Sequence, residues 1–250
     1  MSMVASPAPR TAKPVLYGYD ASTYTRAARL ALIEKGVDHD YFRVANWSGY
    51  EKLPGFADLH PFGKVPVLDH GGARLYETLA IARYIDAAFD GPPLQSTEPT
   101  ALARMQQLIS VYDNCAFRSW VKVLATQRLF APLTGATPDE VAITAATPVA
   151  ARAAEILEAL LAARRNDTID LADLYLAPGV QYLSETPEGV EIPNARSRLR
   201  HWWQALRSRP SDPRDPASGR QGREFGRRRA DQHRIRQPWP GESAKILREA

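Results

Sequence analysis

The stretch from Asp90 to Pro99 constrains this chain most, because Gly91-Pro92-Pro93 and then Pro99 fall within ten residues. Proline has no amide hydrogen and a fixed φ, so neither a helix nor a sheet ladder runs through such a segment. It divides two different patterns. Residues 13–89 switch between short apolar runs and helical periodicity, whereas every periodic segment beyond residue 99 is helical. The division predicts an α/β domain over 13–89, a linker over 90–99 and an all-α helical bundle over 100–210. With 250 residues the chain exceeds what one core of modal size needs, which agrees with two domains.

In the first part Val15-Leu16-Tyr17 reads as a strand, and Ala27, Leu30 and Ala31 recur at helical spacing until Gly36. Tyr41-Phe42-Arg43-Val44 reads as a second strand. A hairpin follows, with Val65-Pro66-Val67-Leu68 on one side of Gly71-Gly72 and Arg74-Leu75-Tyr76 on the other. A helix then carries Ile81, Tyr84, Ile85 and Ala88. In the second part the helical stripes are Met105, Leu108, Ile109 and Tyr112, then Ala153, Ile156, Leu157, Leu160 and Leu161, and finally Leu199, Trp202, Trp203 and Leu206. One helix start is specified in detail: Asp170 is placed to cap the amide of Asp173, with Ile169 and Leu174 at the two hydrophobic-staple positions. Such a box is a folding signal, and the two aspartates are read as caps rather than as an acid/base pair.

Several classes are disfavoured. Cys115 is the only cysteine, so no intramolecular disulfide framework and no cysteine-built metal site is expected. No window approaches eighteen uninterrupted apolar residues, and the N-terminus lacks the order of a secretory signal, which predicts a cytoplasmic protein with no membrane partner. Residues 211–250 hold ten Lys/Arg against six Asp/Glu, while residues 1–210 hold twenty-two of each. The net charge of +4 thus belongs to a tail rather than to a folded face, and nucleic acid is not expected as a partner. That tail, with Arg227-Arg228-Arg229, has too few apolar residues to order itself, and the Pro/Ala/Ser-rich residues 1–12 read as a frayed N-terminal tail. A shifted reading frame after Pro210 and a basic interaction tail both account for residues 211–250.

The segments Leu16-Tyr17-Gly18-Tyr19-Asp20-Ala21-Ser22-Thr23, His60-Pro61-Phe62-Gly63-Lys64-Val65-Pro66-Val67-Leu68 and Leu75-Tyr76-Glu77-Thr78, followed by the capping segment Thr168 to Pro178, resemble the glutathione transferase family. The resemblance covers roughly residues 13 to 210 and is nearest the bacterial and phi/theta-like branches that use serine. It implies a thioredoxin-like N-terminal domain, a helical C-terminal domain, a homodimer, and conjugation of glutathione, as co-substrate, to a hydrophobic electrophile without a resident cofactor or metal.

Glutathione's thiol, with a pKa near ~8.5, is mostly protonated at neutral pH, and only the thiolate is an effective nucleophile. Ser22 precedes the first helix, where a hydroxyl and the helix dipole both lower a thiol pKa, although an N-cap serine looks the same in sequence. Thr23 and Tyr19 are the alternatives, and Tyr17 reads as strand packing. Val65-Pro66 suits a cis bond at a tight turn whose backbone pairs with the cysteinyl group of glutathione, or else an edge-strand proline. Glu77 suits the γ-glutamyl ammonium and Thr78 its carboxylate, with plain capping at Thr78 as the alternative. Lys64 and Lys52 are assigned to the glycyl carboxylate, though surface lysines are commonly just solvated. Where serine-type relatives often place a histidine before the matched lysine, this chain has Glu51. Cys115, like Tyr112, Phe117 and Trp120, reads as core packing, the three aromatics being also candidate walls of an electrophile pocket. A glutathione or hydrophobe-binding protein without activity, and a glutathione-dependent isomerase or dehalogenase, are the competing functions.

Overall fold

The computed structural model describes residues 12–44, 58–164 and 168–209. The tails, the 45–57 loop with Glu51 and Lys52, and residues 165–167 lie outside the described residues. The first part is a four-stranded mixed sheet with helices, in the order β1 (Val15–Gly18), α1 (Thr23–Glu34), β2 (Asp40–Arg43), β3 (Val67–His70), β4 (Ala73–Tyr76) and α2 (Thr78–Ala88). Spatially the strands run β2-β1-β3-β4. β1 and β2 are parallel, as a strand-helix-strand crossover through α1 requires, and the other neighbours are antiparallel. Gly71 and Gly72 both have positive φ, +53° and +89°, the combination that a two-residue hairpin needs to match strand twist. β3 is buried at every residue, and its Asp69 is held by Arg74 directly across the hairpin through two hydrogen bonds of 2.8 Å.

The linker is tied down rather than loose. Lys35, at the end of α1, is buried and reaches Asp86 of α2 at 3.2 Å and the Pro92 carbonyl at 3.1 Å. Asp86 in turn accepts from the amide of Leu94 at 2.8 Å, and the Leu94 carbonyl accepts from the amide of Leu171 at 2.9 Å. Beyond it come α3 (Pro99–Val111), α4 (Glu140–Ala162), α5 (Leu171–Ser184), α6 (Pro187–Asn194) and α7 (Ser197–Arg207). Between α3 and α4 the chain stays helical through Tyr112–Ala116 and Arg118–Phe130 but with wider turns, the Phe117 amide reaching back five residues to the Tyr112 carbonyl.

Helix α5 is buried over nearly its whole surface and packs on α1, α3, α6, α7 and the Arg118–Phe130 helix. A helix apolar all round belongs in a core, and this one joins the two parts into a single apolar cluster running from Leu16 to Leu206. Gly179 permits a close approach there, since a Cβ would sit 2.1 Å from the Tyr112 hydroxyl. The capping box forms as the sequence predicts: Asp170 Oδ1 accepts from the amide of Ala172 at 2.8 Å, and Asp173 Oδ2 accepts from the amide of Asp170 at 2.8 Å. Asp173 additionally accepts from the Trp202 indole at 2.6 Å and from Arg164 at 2.9 Å, so the start of α5 is also bound to α7. No helix among the described residues is long and apolar enough to cross a membrane. Removing the cap in Asp170→Ala should lower unfolding free energy by about 1–2 kcal/mol, read as a shift in urea midpoint at unchanged slope.

Candidate active site

Strand register gathers the segments singled out in the sequence. Tyr17 of β1 lies opposite Val67 of β3, and Val67 lies opposite Tyr76 of β4. The end of β1, the start of β3 and the end of β4 therefore meet at one edge of the sheet. From that edge the chain enters α1 through Tyr19–Ser22, arrives at β3 through Val65-Pro66, and enters α2 through Glu77-Thr78. Residues far apart in sequence converge because the antiparallel pairing leaves no other place for these three turns.

Ser22 is the N-cap of α1 and is buried, with its Oγ accepting the Thr25 amide at 3.1 Å. The cap uses a lone pair of the oxygen and leaves the hydroxyl hydrogen available to a second acceptor. Capping and donation are thus compatible, and the two readings of this serine are not exclusive. Thr23 is buried beside it, and Tyr19 is half-buried with its carbonyl taking the Ser22 amide at 3.1 Å.

The Val65–Pro66 peptide bond is cis. Among the described residues neither the amide nor the carbonyl of Val65 has a hydrogen-bond partner, so both are available to an extended ligand. The preceding turn is braced by buried His60, whose Nδ1 accepts from the Phe62 amide at 3.0 Å. An accepting Nδ1 requires neutral imidazole, and burial pushes the His60 pKa down, with the charge of Glu77 opposing and Lys64 adding to that effect. Lys64 itself is exposed.

Glu77 occupies the cap position of α2 at φ +67° and makes no side-chain cap bond, while Thr78 is the first helical residue and is buried. Thr78 is therefore not the cap, contrary to the capping alternative raised by the sequence. A non-glycine residue at that φ is strained by roughly 1–3 kcal/mol and persists where the site over-determines it. The result is an exposed carboxylate beside helix-start amides that no side chain of the described residues covers.

Residues 16–93 match the family model described as "Glutathione S-transferase, N-terminal domain". Glutathione S-transferase F6 of Arabidopsis thaliana is 31% identical over 202 residues, covering 78% of this chain and 95% of the relative. The chain belongs to the glutathione S-transferase family. Glutathione S-transferase 3 of Zea mays is 30% identical over 199 residues, covering 78% of this chain and 90% of that protein. The crystal structure of maize glutathione S-transferase I in complex with an atrazine glutathione conjugate superposes with a TM-score of 0.72 at 26% identity, over 83% of this chain and 98% of that one. As a glutathione S-transferase this chain is an enzyme with a thioredoxin-like first domain and a helical second one.

Within the transferase fold, Tyr112 and Trp120 are wholly buried and serve as core packing, while Phe117 is half-buried against Tyr24 with ring centroids 4.7 Å apart. Cys115 corrects the sequence reading: it is exposed, not packed. It lies where the helix widens its turns after Val111, which shifts the face that periodicity assigns to each residue. Sequence reasoning missed Asp113, which accepts hydrogen bonds of 3.0 Å from both Tyr24 of α1 and Tyr175 of α5. Burial holds its carboxyl above the ordinary carboxylate value, the two tyrosines oppose that, and the charge of Glu77 reinforces it. Nothing local marks it out, since Asn114 and Ser110 are equally polar neighbours. Replacing Glu77 by glycine removes both strain and charge, so Glu77→Gly should raise unfolding free energy by about 1 kcal/mol while weakening glutathione binding, measured by thermal melts and calorimetric titration.

Proposed function

We propose that this transferase activates glutathione with the Ser22 hydroxyl and conjugates the thiolate to a hydrophobic electrophile. The observation that carries the reading is the buried Ser22 oxygen at the start of α1, already oriented by the Thr25 amide and with its hydrogen uncommitted among the described residues. The glutathione thiol loses its proton to solvent, and the Ser22 hydroxyl donates to the resulting sulfur anion at the positive end of the α1 dipole. The sulfur lone pair then forms the S–C bond while the electrophile's leaving group departs with its bonding electrons. In an addition, the displaced pair instead takes a proton from water.

The tripeptide is held along the sheet edge. Val65 offers its amide and carbonyl, unpaired among the described residues, to the cysteinyl backbone, and Pro66 lies buried behind it. The γ-glutamyl carboxylate takes the Thr78 hydroxyl and the helix-start amides of α2, and Glu77 pairs with the γ-glutamyl ammonium. Lys64, exposed next to Val65, serves the glycyl carboxylate, and Lys52 is assigned to the same end from the sequence. The substrates are thus glutathione and an apolar electrophile, in a cytoplasmic homodimer of subunits organised as 13–89 and 100–210.

Thiolate absorbance of the glutathione complex tests this. The wild-type complex should titrate at least about one unit below the free thiol near ~8.5, and Ser22→Ala should return it most of the way. A thiolate that persists in Ser22→Ala and disappears in Tyr19→Phe would transfer the role to Tyr19, and bound glutathione that stays a thiol at neutral pH would remove the catalytic reading.

A further inference from the structure

The peptide unit that carries Ser22 is clamped from both sides, and one of the clamps comes from the helical domain. Its amide hydrogen belongs to Ser22 and is donated to the Tyr19 carbonyl at 3.1 Å, which closes the turn after β1. Its carbonyl belongs to Ala21 and accepts the hydroxyl of Tyr182, from α5, at 2.9 Å. A peptide plane hydrogen-bonded along both of its polar directions cannot rock about the chain axis without breaking one bond. That plane together with the Ser22 φ of −75° sets its Cα–Cβ vector, and the Thr25 amide then sets the position of Oγ.

Tyr182 is itself held rigidly. It is 8% exposed, the Phe130 ring meets it edge-on at 5.2 Å and 88°, and the Arg26 guanidinium lies 5.2 Å over its face. Arg26 also bonds the neighbouring Gln181. Burial raises the phenol's pKa, so the hydroxyl remains a donor throughout the range in which glutathione ionises. The ring has a packing role that any aromatic fills, whereas the hydroxyl donates to the Ala21 carbonyl and lies beside the Arg26 side chain.

We propose that Tyr182 is a positioning residue for thiol activation, acting through the Ala21 carbonyl to hold the Ser22 hydroxyl at the glutathione sulfur. This rests on the role proposed above for Ser22. A hydrogen-bond donor must meet the developing anion within tenths of an ångström to lower its pKa effectively, and displacements near 1 Å cost up to about a hundredfold in rate. The helical domain is then not only a wall for the second substrate: it sets the geometry of the nucleophile in the first domain.

The experiment is a double-mutant cycle read by thiolate absorbance of the glutathione complex and by conjugation kinetics with a soluble aryl halide. Tyr182→Phe keeps the ring on Phe130 and beneath Arg26, so the fold is retained. It should raise the bound-thiol pKa by about half a unit to one unit and lower kcat about threefold to tenfold. KM for glutathione should stay within about twofold, because the tripeptide contacts are elsewhere. Added to Ser22→Ala, Tyr182→Phe should change the pKa no further, since its effect passes through that side chain. Phe130→Leu serves as the packing control and should lower the thermal midpoint without raising the thiol pKa. A pKa unmoved by Tyr182→Phe while Ser22→Ala raises it would overturn this inference and leave the role of Ser22 intact, as would additive effects in the double mutant. A pKa unmoved by Ser22→Ala would instead remove the role of Ser22, and the inference with it.

Discussion

The burial of α5 between the two halves of the molecule is the constraint on which the rest depends. Its N-terminus is fixed by the reciprocal Asp170–Asp173 cap and by the Trp202 indole. Along its length it presents Tyr175 to Asp113 and Tyr182 to the Ala21 carbonyl. Since α1 packs on this same helix, the first turn of α1 inherits its position from the core rather than from a surface loop. Sites built on rigid elements hold their geometry better than sites built on loops, and here the loop carrying Ser22 gains that rigidity from hydrogen bonds at both faces of one peptide.

Electrostatically the site joins opposites. The starts of α1 and α2 each contribute a partial positive charge, suited to a thiolate and a carboxylate. Glu77 contributes a full negative one from a strained backbone at φ +67°, and Asp113 adds a second acidic group whose carboxyl is held up by burial and by Glu77. A zwitterionic ligand with separated ammonium, carboxylate and sulfur groups matches this layout better than a singly charged one. Glu77 stands at the helix start where no side-chain cap forms; on the binding mode proposed above, a relaxed residue there with a capping side chain would cover the amides assigned to the ligand.

Much of this was legible in the sequence, for identifiable reasons. The Gly71-Gly72 hairpin and the Asp170–Asp173 box are local devices, each encoded within a few residues, and both form as read. The cis bond at Val65-Pro66 is one of the two readings those residues allowed, while the assignment of Ser22 and Glu77-Thr78 to one pocket came from the family resemblance, and strand register brings their turns to the same end of the sheet. What escaped depends on contacts between distant segments. Asp113, in the Tyr112–Ala116 segment, and Tyr182 acquire their roles only when Tyr24 of α1 and Tyr175 of α5 reach the one and the Ala21 carbonyl meets the other, and no spacing within either segment announces it. Cys115 was misread because helical periodicity assumes a uniform pitch, and the pitch widens from Tyr112 onward. Capping at Thr78, the alternative that a hydroxyl residue before a helix suggests, does not form because the strained Glu77 holds that position.

The central claim is that three turns at one edge of the sheet form a single glutathione site, and a crystal structure of the glutathione complex tests it most directly. The account predicts the cysteinyl backbone paired with the amide and carbonyl of Val65, the sulfur within hydrogen-bond distance of Ser22 Oγ, and the γ-glutamyl carboxylate at Thr78. A tripeptide bound away from Val65, or with its sulfur directed at Tyr19 and remote from Ser22, would contradict it.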